Sequence, residues 1–318
     1  MNLEDIKMTK EPVIVFMGTP DFSATVLEGL LLKYPVRAIV TQPDKPVGRG
    51  GKIKFSPVKE IALKNDILCL QPDKVEDILQ DINVMNPDII ITCAYGKMLP
   101  LELLVMPKFG CINVHASLLP KLRGGAPIHH AIIDGYKETG VTIMYMSSQM
   151  DAGDIISQEK VSISEDETAE SLHDKLMVLG RDLLLNTLPS IFNKTNKRIK
   201  QDESLVTYGF VITREDEYID FNKPKRTIIN QIRGLNSWPG AYCYYEDKIM
   251  KVWEARRGDK YDEHAYPGEI IGLYDDGFGV KVLNGEVVFT VIQPESKGKM
   301  KASDFINGHA NLLGKVLK

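Results

Sequence analysis

The segment Cys111-Ile-Asn-Val-His115 ends a short apolar run with two polar side chains, Asn113 and His115. Residues two apart on a strand share a face, so these two point one way and Val114 points the other. Polar groups on a buried strand face are costly unless satisfied. They are either a hydrogen-bonded core pair or donors aimed at an anion. The residue types suit the second use: an Asn amide is a neutral donor, and His can donate or pass a proton near neutral pH. Further along, Met150-Asp-Ala-Gly-Asp154 sets two carboxylates around a glycine turn. Asp and Gly are ordinary turn residues, so this motif alone says little. An Asp151 facing His115, however, would orient the imidazole. Asn, His and Asp at neighbouring strand ends would then form a site for acyl transfer.

Two loops flank these residues. Ala116 to Pro127 is dense in proline and glycine and reads as a rigid turn before a helix starting near Pro127, fit to wall a cleft. Thr41 to Pro57 is a long loop, and from Lys45 to Lys59 it carries five bases (Lys45, Arg49, Lys52, Lys54, Lys59) and no acid. It is too rich in Gly and Pro for a helix and lacks the spacing of a P-loop, but a basic loop suits a phosphate backbone. Gly18-Thr-Pro-Asp21 is not a dinucleotide fingerprint, which disfavours a nicotinamide oxidoreductase. The other histidines lack metal-ligand spacing, and no metal is expected. Cys69, Cys93, Cys111 and Cys243 are scattered and read as reduced core thiols, not a disulfide framework.

The elements that would carry these residues alternate. Val13–Met17, Val36–Val40, Ile67–Leu70, Asp88–Cys93, Cys111–His115 and Val141–Met146 read as strands. Helical patterns run from Asp21 as cap to Lys33, Pro57 to Lys64, Val75 to Met85 and Ser171 to Leu188. Near-continuous apolar strands between helices predict an α/β domain with a parallel sheet covered on both faces. Ligands then bind beyond the carboxyl ends of the strands. Asn193 to Gln201 is polar and basic and reads as an exposed connection. From Thr207 the pattern changes. One helix, Lys225–Leu235, accompanies five short strands (Ala241–Tyr245, Ile249–Glu254, Glu269–Leu273, Gly279–Val282, Val287–Ile292). Asp276-Gly277 and Asn284-Gly285 are hairpin turns. A small OB-like β-barrel is expected there.

The chain of 318 residues, with net charge −4, 43% hydrophobic and 26% charged residues, fits two soluble globular domains. No apolar run is long enough to span a membrane. The start of the chain lacks a secretory pattern, and a cytoplasmic protein is expected. The division expected is 1–192 catalytic, 193–206 linker and 207–318 barrel.

Taken in order, these motifs resemble the methionyl-tRNA formyltransferase family. The matching pieces are Phe16–Phe22, Thr41–Gly50, Ala94–Lys97, Cys111–Pro120, Arg123–Pro127, Thr139–Met144, Met150–Asp154, Arg233–Pro239 and Lys251–Trp253. The resemblance implies a Rossmann-like formyltransferase domain followed by an OB-like tRNA-binding domain. It implies 10-formyltetrahydrofolate as donor and the α-amino group of initiator methionyl-tRNA as acceptor. By motif match, Asn113 and His115 would stabilise an oxyanion while Asp151 orients His115 and assists proton transfer. Ser117, Leu118, Leu119, Pro120, Tyr95 and Gly96 would bind folate. Arg49, Lys45, Lys52 and Lys54 would bind tRNA, Arg49 by recognition and Lys52 and Lys54 mainly by phosphate attraction. A monomer is expected. Gly125 and Leu122 depart from the common family pattern within the loop beside the folate. Relatives acting on a nucleotide sugar or small amine, and formyltetrahydrofolate hydrolases, share the Asn-x-His and Asp signature. The basic loop and the barrel separate this chain from them. A catalytically silent RNA binder is the reading from another class, and the intact trio argues against it.

Overall fold

A computed structural model describes residues 11–47, 52–309 and 311–318. It divides into two compact units. The first comprises the described residues of 11–123, 140–160 and 174–207, and the second those of 124–139, 161–173 and 208–318.

The main sheet contains β1 (Ile14–Gly18), β2 (Val36–Val40), β5 (Leu68–Leu70), β6 (Ile89–Cys93), β7 (Cys111–His115), β8 (Glu138–Tyr145) and β9 (Ile155–Ser162). Their order is β5-β2-β1-β6-β7-β8-β9. From β5 to β7 the neighbours are parallel, but β8 runs antiparallel to β7. The sheet is therefore mixed, not wholly parallel as the apolar runs predicted. Apolar continuity reports burial on both faces and carries no direction. Two short strands, β3 (Lys45–Val47) and β4 (Lys52–Lys54), form a separate antiparallel hairpin inside the basic loop.

The helices of this part of the chain are α1 (Asp21–Leu31), α2 (Pro57–Lys64), α3 (Leu79–Met85), α4 (Leu101–Val105), α5 (Pro127–Ile133) and α6 (Ala169–Phe192). Helix α2 has strong local signals: the Ser56 side chain accepts from the Lys59 amide, Pro57 opens the first turn, and Lys64 sits in the last. Asp21 is the first helical residue of α1 and Pro20 the cap, one position from the expected arrangement. Val75–Ile78 forms a 3₁₀ turn before α3, which splits the expected single helix. Gly18 is needed at the end of β1, where a Cβ would lie 2.6 Å from Ser23 Cβ and 2.9 Å from the Cys93 carbonyl.

The second unit holds α7 (Lys225–Gly234), β10 (Ala241–Tyr245), β11 (Lys248–Gly258), β12 (Ile270–Tyr274), β13 (Gly277–Val282), β14 (Gly285–Pro294), β15 (Met300–Lys301) and α8 (Ala302–Asn307). The strands are antiparallel in the order β10-β11-β14-β13-β12, with β15 on β14. The outer strands are bridged by segment 314–318. Leu317 N donates to Gly268 O (2.8 Å), Ile270 N to Lys315 O (2.8 Å) and Lys318 N to Tyr244 O (2.9 Å). This segment links the two outer strands, and on the β10 side it adds to the bonds that Tyr242 exchanges with Glu217 and Ile219. Beneath it lies a core of Ile228, Val252, Phe278, Val280, Phe289 and Leu317.

Candidate active site

His115 stands at the carboxyl end of β7, and only 6% of its surface is exposed. Its Nε2 lies 3.0 Å from the Leu122 carbonyl oxygen. A carbonyl only accepts, so Nε2 carries the proton of that bond. The other ring nitrogen, Nδ1, faces Asp151 Oδ2 at 3.7 Å. The residue pair inferred from the motifs is thus brought together from the ends of two different stretches of chain. Asp151 sits in the left-handed region, φ 51°. A carboxylate beside Nδ1 and a carbonyl on Nε2 fix the plane of the ring.

Asn113 lies two residues back along β7. Thr92 on β6 is its register neighbour. The Thr92 hydroxyl donates to Asn113 Oδ1 at 2.8 Å. This turns the carboxamide so that its Nδ2 donor is the end left over. Val114 faces the opposite way, against Gly180 of α6, where an added Cβ would lie 3.1 Å from Val114 Cγ1. Thr92 was not singled out from the sequence. The available signal was a polar residue inside the buried run Ile89-Ile-Ile-Thr-Cys93.

The loop after His115 is tied down from below. The Ser117 hydroxyl donates to Lys121 O (2.7 Å), and the Thr142 hydroxyl donates to Ser117 O (2.6 Å). Gln158 Nε2 donates to Leu119 O (2.8 Å). Ser117 and Leu119 are buried and hold the loop's shape. Leu118 and Pro120 are the two of the four that keep partly exposed surface. The Tyr95 ring is turned into the core with Val15, Met17, Leu99 and Leu103. Its hydroxyl has no partner there, and burial pushes its pKa up to about 12. Its carbonyl accepts from Gln42 Nε2 at 2.9 Å. A Cβ on Gly96 would come within 2.7 Å of that same Gln42 nitrogen. These two residues therefore offer backbone and shape at the strand end, not a phenol in a cleft.

The basic loop is anchored at its base. Lys59 pairs with Asp44, and Gln71 Nε2 also donates to Asp44 at 2.9 Å. The Lys59 bond, then the Gln71 bond, holds the Asp44 carboxyl below the usual range. Above this base, Lys45 of β3 is directly opposite Lys54 of β4, and both are exposed. Like charges opposite each other on a ladder repel, and a polyanion would relieve that repulsion. Lys52 belongs to β4 by its backbone. Arg49 lies outside the described residues. In the second unit, Arg256 pairs with Asp276, Arg257 with Glu165, and Lys299 sits 3.6 Å over the Trp253 ring.

Among the described residues no three His, Cys, Asp or Glu side chains are grouped to hold a metal ion, and no helix is long and apolar enough to cross a membrane. A surface hollow lined by Glu11, Val36, Arg37, Asp66 and Leu68 lies at the amino ends of the strands, away from His115.

Comparison with known proteins bears on this geometry. The Formyl transferase family matches residues 12–188, and the family Formyl transferase, C-terminal domain, matches residues 211–310. Methionyl-tRNA formyltransferase of Lysinibacillus sphaericus is 50% identical over 304 residues, covering 94% of this chain and 97% of its own. That of Staphylococcus aureus is 48% identical over 316 residues, covering 98% and 100%. Among solved structures, an N-formyltransferase from Helicobacter canadensis in complex with folinic acid and dTDP-3-aminofucose aligns with a TM-score of 0.65 at 20% identity, covering 87% of this chain and 98% of that one. HypX from Aquifex aeolicus with tetrahydrofolic acid aligns with a TM-score of 0.64 at 16% identity, covering 96% of this chain and 49% of that one. At such identities these two likenesses speak to fold alone.

Proposed function

We infer the function from kinship: this chain belongs to the methionyl-tRNA formyltransferase family. It is a formyl-transferring enzyme of translation initiation that uses a folate co-substrate and formylates methionyl-initiator-tRNA. The readings as a nucleotide-sugar formyltransferase or a hydrolase are not favoured. We assign 10-formyltetrahydrofolate as the donor and the cytoplasm as the place of work, with the protein acting as a monomer. Residues 1–192 are the catalytic part and 207–318 the tRNA-binding part, joined by 193–206.

The observation that carries the mechanism is the unshared Asn113 amide beside the His115–Asp151 pair. The neutral amine nitrogen of the methionyl group attacks the formyl carbon. A C–N bond forms as the carbonyl electrons move onto oxygen. Asn113 Nδ2 donates to that oxyanion. His115, held by Leu122 and Asp151, adds its positive edge and passes the proton shed by the amine, with Asp151 or a water as its partner. Collapse of the oxyanion breaks the bond to N10, which leaves with a proton. Leu118 and Pro120 lie against the folate, over a base built by Ser117 and Leu119, with Tyr95 and Gly96 shaping the neighbouring strand end. Lys45, Arg49, Lys52 and Lys54 guide the acceptor stem.

The test is formyl transfer to charged initiator and elongator methionyl-tRNA, side by side. Transfer to the initiator alone supports the reading. Turnover of the folate with neither tRNA modified would leave the chemistry and remove the substrate.

A further inference from the structure

We propose that Gln201 is a positioning residue that sets the separation of His115 and Asp151. The proposal rests on the catalytic reading given above and adds a residue from the connecting segment to it. Gln201 Oε1 accepts from Arg123 Nε (3.1 Å) and Nη2 (2.9 Å). Its Nε2 donates to Asp151 O (2.7 Å) and Gly153 O (2.8 Å). A guanidinium only donates and a carbonyl only accepts, so the amide has one possible orientation. Both of its donors and both of its acceptor sites are used.

The two ends of this bridge are the two supports of the catalytic pair. Arg123 is 3% exposed and directly follows Leu122, whose carbonyl holds His115 Nε2. It is also gripped by Glu203 (Nη1 3.2 Å, Nη2 2.7 Å), so its end of the bridge is fixed. The other end is the backbone of Asp151 itself, at φ 51°, in the left-handed region that Asp tolerates at a turn. The turn is pressed close to β8: a Cβ on Gly153 would lie 1.9 Å from Tyr145 O. Neighbouring residues bind the same turn. Asn196 Nδ2 donates to the Tyr145 hydroxyl (3.0 Å) and Arg198 Nε to Asp154 (3.0 Å), and Ile199 exchanges backbone bonds with Ile155 (2.8 and 2.9 Å). Segment 196–203 is thus a brace laid across the site, and Gln201 is its only described residue bonded to both sides.

The experiment is a kinetic cycle on the full chain with Gln201→Ala, Asp151→Ala and the double variant. Gln201→Ala should lower kcat by about 10- to 100-fold, the scale of a displaced catalytic group. KM for folate and for tRNA should change by less than about twofold, since no contact shared by ground and transition states is removed. The double variant should be no slower than Asp151→Ala alone, because Gln201 acts through Asp151. If Gln201→Ala unfolds, Gln201→Glu replaces it. That variant keeps an acceptor for Arg123, loses the donors to Asp151 O and Gly153 O, and should show the same loss in kcat. Unchanged kcat in a folded Gln201 variant, or losses that multiply in the double variant, overturns the proposal. An Asp151→Ala enzyme as fast as the parent would instead remove the catalytic reading beneath it.

Discussion

Asn113 is aimed by one hydroxyl. Its Oδ1 is taken by Thr92, so its amide hydrogens are the part available to substrate. Asn113→Ala should lower kcat by about 10²–10³, the cost of one lost oxyanion donor, about 2.7–4 kcal/mol. KM for folate should barely move, and steady-state kinetics on both substrates checks this. Thr92→Val keeps the shape and removes the donor. It should lower kcat by less than Asn113→Ala, and the double variant should match Asn113→Ala alone. Elsewhere, buried residues are inert by environment. Burial pushes the Cys93 and Cys111 thiols up to about 12, so neither is a nucleophile at neutral pH. Their labelling by a thiol reagent should require unfolding.

The β3–β4 hairpin sets Lys45 opposite Lys54, the two described cations proposed above to meet the acceptor stem. Lys45→Ala and Lys54→Ala should each raise KM for tRNA and leave KM for folate unchanged. Each should also reduce the slope of log affinity against log salt by up to about 0.9, the value for one lost phosphate contact. Helix α5 carries two adjacent histidines with opposite behaviour. His129 is lowered by desolvation and bonds the Gly234 carbonyl at 2.8 Å. His130 is raised, first by Asp134. A lowered histidine stabilises the fold above its unfolded pKa, and the gain is lost as pH falls, because the unfolded chain takes up the proton more readily. A raised one stabilises below the unfolded pKa, and the gain is lost as pH rises through its folded value. Thermal unfolding at pH 5.5 and 7.5 should therefore show a smaller acid-side loss in His129→Gln and a larger one in His130→Ala.

At the scale of the molecule, the link between the outer strands of the second unit depends on five residues. Deleting segment 314–318 removes bonds to Gly268, Ile270 and Tyr244 and takes the buried Leu317 out of the core. Each bond contributes about 0.5–1.5 kcal/mol and burial of the Leu side chain about 1.5–3 kcal/mol. The deletion should lower the melting temperature clearly and promote association through the freed strand edges, measured by calorimetry and light scattering. Leu317→Ala should lower it less, since the backbone bonds remain.

The alternating strands and helices, the change of pattern at Thr207, the shared face of Asn113 and His115, and the cationic loop are legible in the linear chain. All of these follow from local periodicity and residue type, which a linear pattern carries. The pairing of His115 with Asp151 was legible only through the family motif, because Asp151 sits in a motif that can be recognised without knowing what it faces. The antiparallel course of β8, the hairpin inside the loop and the link made by 314–318 were decided by pairing between distant segments. Tyr95 shows the same limit: the resemblance sets it beside the folate, and only packing with Val15, Leu99 and Leu103 shows the ring turned into the core. Gln201 left no signal at all. It lies in a polar stretch like any exposed connection, and its role exists only because folding brings Arg123 and Asp151 to either side of one amide.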